Sequence, residues 1–120
     1  MIKQDTTGKY LLSFENEAII RRIPLERHGT TKRGMEWVLG GCLVEAFEEG
    51  WEGSEQLYLV TFNTELIEQI NVIGVGKKVR VKYHIETKEY YDSFRTSVIL
   101  DDIELMTDAE NFLIGKGKKK

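Results

Sequence analysis

The sequence predicts an all-β domain with one short helix, in which five strands close into a Greek-key barrel and the helix lies between strands three and four. Three observations carry this prediction. Apolar residues recur at helical spacing from Leu66 to Ile73. The period then changes to two from Val79, where apolar and basic residues alternate. A second strand pattern, Phe94 to Leu105, follows a polar turn, and this order of elements indicates the second half of a small barrel.

The N-terminal part of the chain carries one strand signal. Residues 1–12 show no strong periodicity, so we expect an arm or an extra edge strand there. Phe14 to Leu25 is predicted as strand one, with Ala18, Ile20 and Ile23 as candidates to face inward. Pro24 lacks the amide hydrogen that a central ladder needs, so it indicates a bulge or the end of that strand.

Strand two and the connection before it are marked by glycines and cations. His28 to Met35 is predicted to be a mobile loop, made cationic by Lys32 and Arg33. Strand two, Glu36 to Phe47, is interrupted by the pair Gly40–Gly41. Paired glycines inside a strand indicate a bulge or a tight coil, which barrel closure requires where a strand bends.

Strand three is predicted over Gln56 to Asn63, after an acidic turn that carries Trp51. Its two faces are Leu57, Leu59 and Thr61 on one side and Tyr58, Val60 and Phe62 on the other. If the leucines face the interior, Tyr58 and Phe62 point outward. A shift of one residue in register would reverse this assignment.

The helix and strand four follow directly. Asn63 or Thr64 can cap the helix, because a short oxygen-bearing side chain accepts hydrogen bonds from the amides of the first turn. Gly74 and Gly76 end it. In strand four, Val79, Val81, Tyr83 and Ile85 are expected inside, and Arg80, Lys82, His84 and Glu86 outside, with His84 solvated or facing a groove. A helix followed by such a strand and a long hairpin is typical of the OB fold.

The charges of the chain are segregated. A net charge of −3 argues at first against a nucleic-acid partner, because phosphates attract cations. No Lys or Arg lies between Gly34 and Gly76, whereas Arg21–Arg33 and Lys77–Lys88 each carry five cations against one glutamate. In a barrel of this kind both basic segments flank one groove, so they can combine on one side. The alternative is that both are solvated strand faces.

Several of these segments resemble the single-stranded-DNA-binding (SSB) protein family. The shared features are Phe62 at the end of strand three, the helix from Leu66 to Ile70, Gly76–Val81 and the hairpin Thr87–Arg95. The chain resembles still more closely a small, poorly characterised OB family of phages and mobile elements. That likeness lies in the E-W of strand two, the V-T-F-N of strand three and the H-I-E-T-K-E-Y of the hairpin.

The resemblance covers residues 15–106 of a domain predicted over 13–106. It implies a protein that binds single-stranded DNA in replication or recombination and forms a homo-oligomer, either a dimer or a tetramer. Residues 107–120 are expected to form a flexible, lysine-rich tail, because they end in a run of glycines and lysines. Many bacterial SSB proteins instead end in an acidic tail that recruits partners, so this chain departs from that pattern.

Sequence-tolerant capture of single strands needs flat rings on which bases stack and cations that follow the phosphates. The candidate rings are Trp37, Tyr58, Phe62, Tyr90, Tyr91 and Phe94. The candidate cations are Arg21, Arg22, Lys32, Arg33, Lys77, Arg80, Lys82, Lys88 and Arg95. For each ring the alternative is packing in the core or in the hairpin, and this alternative weighs most for Phe94.

Catalytic and metal-binding patterns are weak, so we expect no enzyme, no cofactor and no small-molecule substrate. Cys42 is the one cysteine and lacks partners for a disulfide or a zinc site, which favours a reduced, cytoplasmic setting. Asp101 and Asp102 are adjacent in a strand and cannot converge on a cation without a bulge. No apolar run approaches the length of a membrane span.

Two other functions stay open from the sequence. One is an RNA-binding OB module, because contact with a 2′-hydroxyl depends on geometry that the sequence does not report. The other is a protein-interaction or assembly module that uses Trp51 and the acidic segment around it.

Overall fold

The computed structural model describes residues 3–4, 10–47, 50 and 52–106. Within these ranges the chain forms seven strands and one helix. They are β1 (Lys3–Gln4), β2 (Ser13–Arg22), β3 (Arg27–Thr30), β4 (Glu36–Phe47), β5 (Glu55–Thr61), α1 (Thr64–Ile73), β6 (Lys78–Tyr90) and β7 (Ser93–Leu105). The expectations for Trp51 and for the tail, residues 107–120, lie outside the described residues.

Five of these strands close into a ring. β2 pairs with β4, β4 with β5, β5 with β7, β7 with β6, and β6 again with β2. Every pairing in the ring is antiparallel except that of β5 with β7. The helix stands between the third and fourth strands of the ring, so the predicted fold class is confirmed. Two short strands are added to the ring, because β1 pairs with β2 and β3 with β4.

Alternate residues of the ring strands fill the interior. The buried side chains include Ala18, Ile20, Cys42, Val44, Leu59, Val79, Val81, Tyr83, Leu100 and Ile103. The helix closes one end of the barrel with Leu66 and Ile70, which belong to the same cluster. The period of two along each strand thus separates core residues from outward ones, as expected for a half-buried sheet.

Asn63, rather than Thr64, caps the helix. Its side-chain oxygen accepts hydrogen bonds from two amides of the first turn, at 2.9 and 3.4 Å. At the other end Gly74 has a φ of 87°, which a residue with a Cβ adopts only at a cost, and its amide donates to the carbonyl of Ile70 at 2.9 Å. The helix is therefore bounded on both sides by residues suited to its ends.

The predicted loop from His28 to Met35 is wrong in its first part. Arg27–Thr30 form a strand that pairs with the beginning of β4, and the turn is closed by a hydrogen bond from the Thr31 amide to the Met35 carbonyl at 2.8 Å. Lys32 and Arg33 therefore lie at the tip of a β-hairpin. A strand as short and polar as R-H-G-T shows no apolar alternation, so periodicity does not reveal it.

The glycine pair of β4 marks close packing rather than a bulge, since β4 and β5 keep one register through it. A Cβ at Gly40 would lie 2.8 Å from Cγ1 of Ile67, and a Cβ at Gly41 would lie 2.0 Å from the carbonyl oxygen of Leu59. The helix and β5 can approach β4 this closely only because both side chains are absent.

Register shifts occur at two other places in the ring. In the pairing of β2 with β4, Arg21 is the extra residue, and β2 ends at Arg22, so strand one is shorter than the predicted Phe14–Leu25. In the pairing of β6 with β7, Lys82 faces Asp102 while Tyr83 faces Leu100. Asp101 is thus the extra residue of a bulge, the condition under which two adjacent aspartates can approach the same face.

Candidate nucleic-acid interface

The predicted parity of strand three is confirmed in β5. Leu59 and Thr61 are buried, whereas Tyr58 is 51% exposed and Phe62 is 60% exposed. The strand ends at Thr61, so Phe62 is the first residue beyond it. Two candidate rings therefore project outward from one strand while its leucines support the core.

Trp37 and Phe62 form an aromatic pair. Their ring centroids are 6.1 Å apart and the ring planes meet at 85°, which is the edge-to-face arrangement that aromatic quadrupoles favour. The indole of Trp37 also lies against Gly29 of β3, where a Cβ would come within 2.2 Å of its Cζ2 atom. Gly29 therefore makes room for the indole, a role that the sequence did not suggest because β3 was not predicted.

The hairpin of β6 and β7 carries a second group of candidates. Lys88 lies opposite Arg95, and the Arg95 guanidinium lies 5.5 Å from the centre of the Tyr90 ring, a cation–π contact. Tyr91, in the turn, has a φ of 52° and is fully exposed. Phe94 is exposed as well, so it does not pack in a core. We call residues 87–96 the hairpin arm.

Strand register places Lys88, Tyr90 and Arg95 on the same side of the sheet as Tyr58, whereas Phe94, next to Arg95 in β7, points to the opposite side. Val60 of β5 and Ile99 of β7 are partners in the parallel ladder, so their side chains share a face. Tyr58 lies two residues before Val60, and Arg95 lies four residues before Ile99 with no register shift between them. The outward surface of β5 therefore runs from the aromatic pair through Tyr58 to Lys88 and Arg95 of the hairpin arm. We call it the outward face.

Arg21 is held by a neighbouring strand. Its guanidinium lies 2.6 Å from Oε1 of Glu45, whose other carboxylate oxygen accepts a hydrogen bond from Ser54. The Ser54 hydroxyl and the Arg21 guanidinium hold the pKa of Glu45 below its ordinary value, because both favour the charged carboxylate. Arg21 thus already has an anionic partner.

The predicted basic outer face of strand four is offset by its neighbours. Arg80 lies among three carboxylates, at 3.7 Å from Glu15, 3.9 Å from Glu17 and 3.2 Å from Glu104. Lys82 lies between Glu15 of β2 and Asp102 of β7 in the strand register. This side of the barrel therefore carries four carboxylates against two cations, and a phosphate would compete with them.

The other candidate cations lie at two places. Lys32 and Arg33 are exposed at the tip of the β3–β4 hairpin, the hairpin that carries Trp37. Arg22 and Lys77 are exposed at one end of the barrel, where the Lys77 carbonyl accepts the Ile20 amide at 3.1 Å. Lys32 and Arg33 therefore share a hairpin with one candidate ring, that of Trp37.

His84 is not solvated, so the first of its two predicted placements, solvated or facing a groove, is wrong. Its side chain points outward from β6 but is only 2% exposed, because the ring of Tyr10 stacks on it with centroids 3.6 Å apart and planes 7° from parallel. Nδ1 lies 2.8 Å from both carboxylate oxygens of Asp101, and Nε2 lies 2.6 Å from Glu86. The bulge at Asp101 brings that carboxylate onto the ring.

Burial by itself lowers the pKa of His84, but the hydrogen bonds to Glu86 and Asp101 outweigh it and raise the pKa above its ordinary value. Burial has the opposite effect on the thiol of Cys42, whose pKa it raises to about 12, because a buried thiolate loses its hydration. Cys42 is therefore a core residue and not a nucleophile at neutral pH. Among the described residues no group of three His, Cys, Asp or Glu side chains is arranged to hold a metal ion, and no helix there is long and apolar enough to cross a bilayer.

Solved structures that resemble this chain include single-stranded-DNA-binding proteins. The mitochondrial single-stranded DNA binding protein Rim1 of S. cerevisiae matches with a TM-score of 0.57 and 14% identity, over 79% of this chain and 93% of that chain. The SSB of Plasmodium falciparum, in complex with single-stranded DNA, matches with a TM-score of 0.51 and 12% identity, over 85% of this chain and 100% of that chain. This chain has an OB fold.

A third OB-fold neighbour is the dimeric N-terminal domain of PriB from Thermoanaerobacter tencongensis. It has a TM-score of 0.55 and 14% identity, over 82% of this chain and 100% of that chain. No protein-family model matches the sequence, and no curated protein does. Identities this low establish the fold and nothing finer, so the function has to be argued from the outward face.

Proposed function

We propose that this OB protein is a non-enzymatic, sequence-tolerant single-stranded-DNA-binding protein that acts in replication or recombination. The observation that carries the proposal is the outward face, which presents the exposed rings of Tyr58 and Phe62 together with Arg95 of the hairpin arm. Residues with these properties are what a single strand needs, since each base offers a flat ring and each phosphate a negative charge. The OB fold of the Plasmodium protein, seen with single-stranded DNA, supports it.

The strand would lie along the outward face. Phe62, the first residue after β5, lies about 13 Å from Tyr58 along the chain, from a rise of roughly 3.3 Å per residue, so the two rings would stack different bases of one strand. Stacking on an aromatic side chain is worth about 1 to 3 kcal/mol per base. Trp37 holds Phe62 by its edge contact and would offer a further ring.

Four cations, two on each of two hairpins, would neutralise the phosphates. Lys32 and Arg33 would do so beside the aromatic pair, and Lys88 and Arg95 on the hairpin arm. Tyr90, under the Arg95 guanidinium, and the exposed Tyr91 would serve as rings at that end. With four phosphate contacts, log affinity would fall against log salt with a slope of about −3.

The remaining candidate cations would contribute less. Arg21 and Arg80 already contact carboxylates at 2.6 and 3.2 Å, so a phosphate must displace an existing anion before it gains a contact. Lys82 is opposed by acidic residues on both neighbouring strands. Arg22 and Lys77 would act only on a strand long enough to reach the end of the barrel.

The proposal is tested by fluorescence anisotropy with labelled oligo-dT, the matched duplex and oligo-U, each at several salt concentrations. We expect oligo-dT to bind much more tightly than duplex and the affinity to fall with salt. Equal affinity for duplex, or no binding to oligo-dT at low salt, would overturn the function. Tighter binding of oligo-U would assign the face to RNA instead.

Two finer points belong to the same proposal. We propose that the chain is a homo-oligomer, supported by the dimeric state of the PriB domain, and that it is related to the OB proteins of phages and mobile elements, supported by its E-W, V-T-F-N and H-I-E-T-K-E-Y segments. Sedimentation equilibrium with and without oligo-dT measures the oligomeric state. A monomer at every concentration used for DNA binding would contradict the first point and leave the DNA-binding proposal standing.

A further inference from the structure

A groove of about 410 Å³ lies between the helix and the end of β7. Val72 and Ile73 of the helix and Leu105 of β7 form its apolar walls. Val72 is 80% exposed and Leu105 is about half exposed, although each is a side chain of the kind usually covered. The groove therefore presents apolar surface that nothing in the described part of the chain covers.

The rim of this groove is acidic. Glu68 of the helix and Asp102 and Glu104 of β7 line it, and no lysine or arginine lines it among the described residues. Arg80 contacts Glu104 at 3.2 Å and Lys82 lies opposite Asp102 in the strand register, but both cations also lie beside glutamates of β2, so they do not neutralise the rim. A segment that fits here must combine apolar side chains with positive charge.

The end of this same chain has that composition. Residues 107–120 read T-D-A-E-N-F-L-I-G-K-G-K-K-K, in which three apolar residues, Phe112, Leu113 and Ile114, are followed by four lysines. The segment starts directly after Met106, beside the wall that Leu105 forms. Five residues lie between Met106 and Phe112, and the six steps of extended chain that join the two residues reach about 20 Å, which is enough to fold back across the groove.

We propose that residues 107–120 dock in this groove, with Phe112 to Ile114 against Val72 and Leu105 and the lysines facing the acidic rim. Docking removes apolar surface from water, and the charges add a salt-dependent attraction. It also occupies the lysine run, so these cations are held by carboxylates rather than offered to DNA. The proposal does not depend on the DNA-binding function.

The test is backbone relaxation by NMR on the full chain without DNA. We expect order parameters for Phe112 to Ile114 near those of the barrel, roughly 0.85, where a free tail gives values below about 0.6. Val72→Lys should bring them down to the free-tail range, because it removes apolar wall and repels the lysines. Val75→Lys is the matched control, since Val75 is exposed near the helix but does not line the groove; it should leave the tail ordered.

A second variant guards against an effect of Val72→Lys on folding. Phe112→Ser with Leu113→Ser leaves the barrel sequence intact and should shift the amide resonances of Val72 and Leu105 while it mobilises the tail. A mobile tail in the unmodified chain, or a tail that stays ordered in both variants, would overturn the proposal. Order that appears only at high protein concentration would also overturn it, because the occupant would then be the tail of a second copy.

Discussion

The ring of Tyr10 lies flat on the ring of His84, with centroids 3.6 Å apart. This contact joins the segment before β2 to the middle of β6, and it covers an imidazole whose two nitrogens both face carboxylates. The backbone reinforces it, because the Ile85 amide donates to the Leu12 carbonyl at 2.9 Å. A histidine placed between Asp101 and Glu86 can satisfy both carboxylates only when both of its nitrogens carry protons.

This geometry predicts that the protein loses stability as pH rises above about 6.5, the ordinary pKa of histidine. The pKa of His84 is raised in the folded state, so its contribution is fully present below the unfolded pKa of about 6.5 and is lost as pH rises through the folded pKa. Denaturant unfolding at a series of pH values measures it. The phenol of Tyr10 and the carboxylates of Asp101 and Glu86 are the titratable groups that face the ring.

The control for the pH series is His28, which is largely exposed and lies 3.6 Å from Glu26. His84→Gln should flatten the fall of the unfolding free energy above a pH of about 6.5, whereas His28→Gln should leave that fall unchanged. An identical pH profile in the His84 variant would show that the contact does not govern the dependence.

The parity of β5 predicts that two neighbouring substitutions separate folding from binding. Phe62→Ala should weaken oligo-dT binding by about 1 to 3 kcal/mol, because it removes a stacking ring, and should change the melting temperature little. Leu59→Ala should destabilise the fold by roughly 2 to 5 kcal/mol, because it leaves a cavity in the core. The melting temperature and the oligo-dT affinity of both variants test this separation. Unchanged oligo-dT affinity in Phe62→Ala would show that the Phe62 ring is not part of the interface.

The aromatic pair predicts a spectroscopic signal. Trp37 contacts Phe62 on the outward face, so a base that stacks there should quench its fluorescence. Trp51 would complicate the signal, and the measurement is therefore made in Trp51→Phe. Saturated binding of oligo-dT with unchanged emission would exclude Trp37 from the site.

The ion pairs predict which cations matter. Arg95→Ala should lower oligo-dT affinity and reduce the salt slope by about 0.7, the value for one phosphate contact with a single strand. Arg21→Ala is the matched control, because Arg21 is an exposed arginine already paired with Glu45; it should leave the slope unchanged. Equal slopes in the two variants, measured by salt titration of the anisotropy signal, would contradict the assignment.

Local patterns were sufficient for the architecture because they depend on residues that are close in the sequence. The period of two in β5 identified Leu59 as inward and Phe62 as outward, and the burial of each side chain agrees. The sequence predicted that either Asn63 or Thr64 caps the helix, and the side chain of Asn63 makes the capping hydrogen bonds. Periodicity and capping chemistry act over one turn or a few strand residues, so both can be recognised without the rest of the chain.

The neighbours of each outward side chain could be identified only from the tertiary structure. The alternation in β6 correctly placed Arg80 and His84 on the outer side, but β2 and β7 supply the carboxylates beside Arg80 and the segment before β2 supplies the ring that buries His84. Trp37 and Phe62 meet because β4 and β5 pair in one particular register. A strand's own sequence determines which face a residue takes, whereas the charge and exposure of that residue depend on the register of neighbours that are distant in the chain.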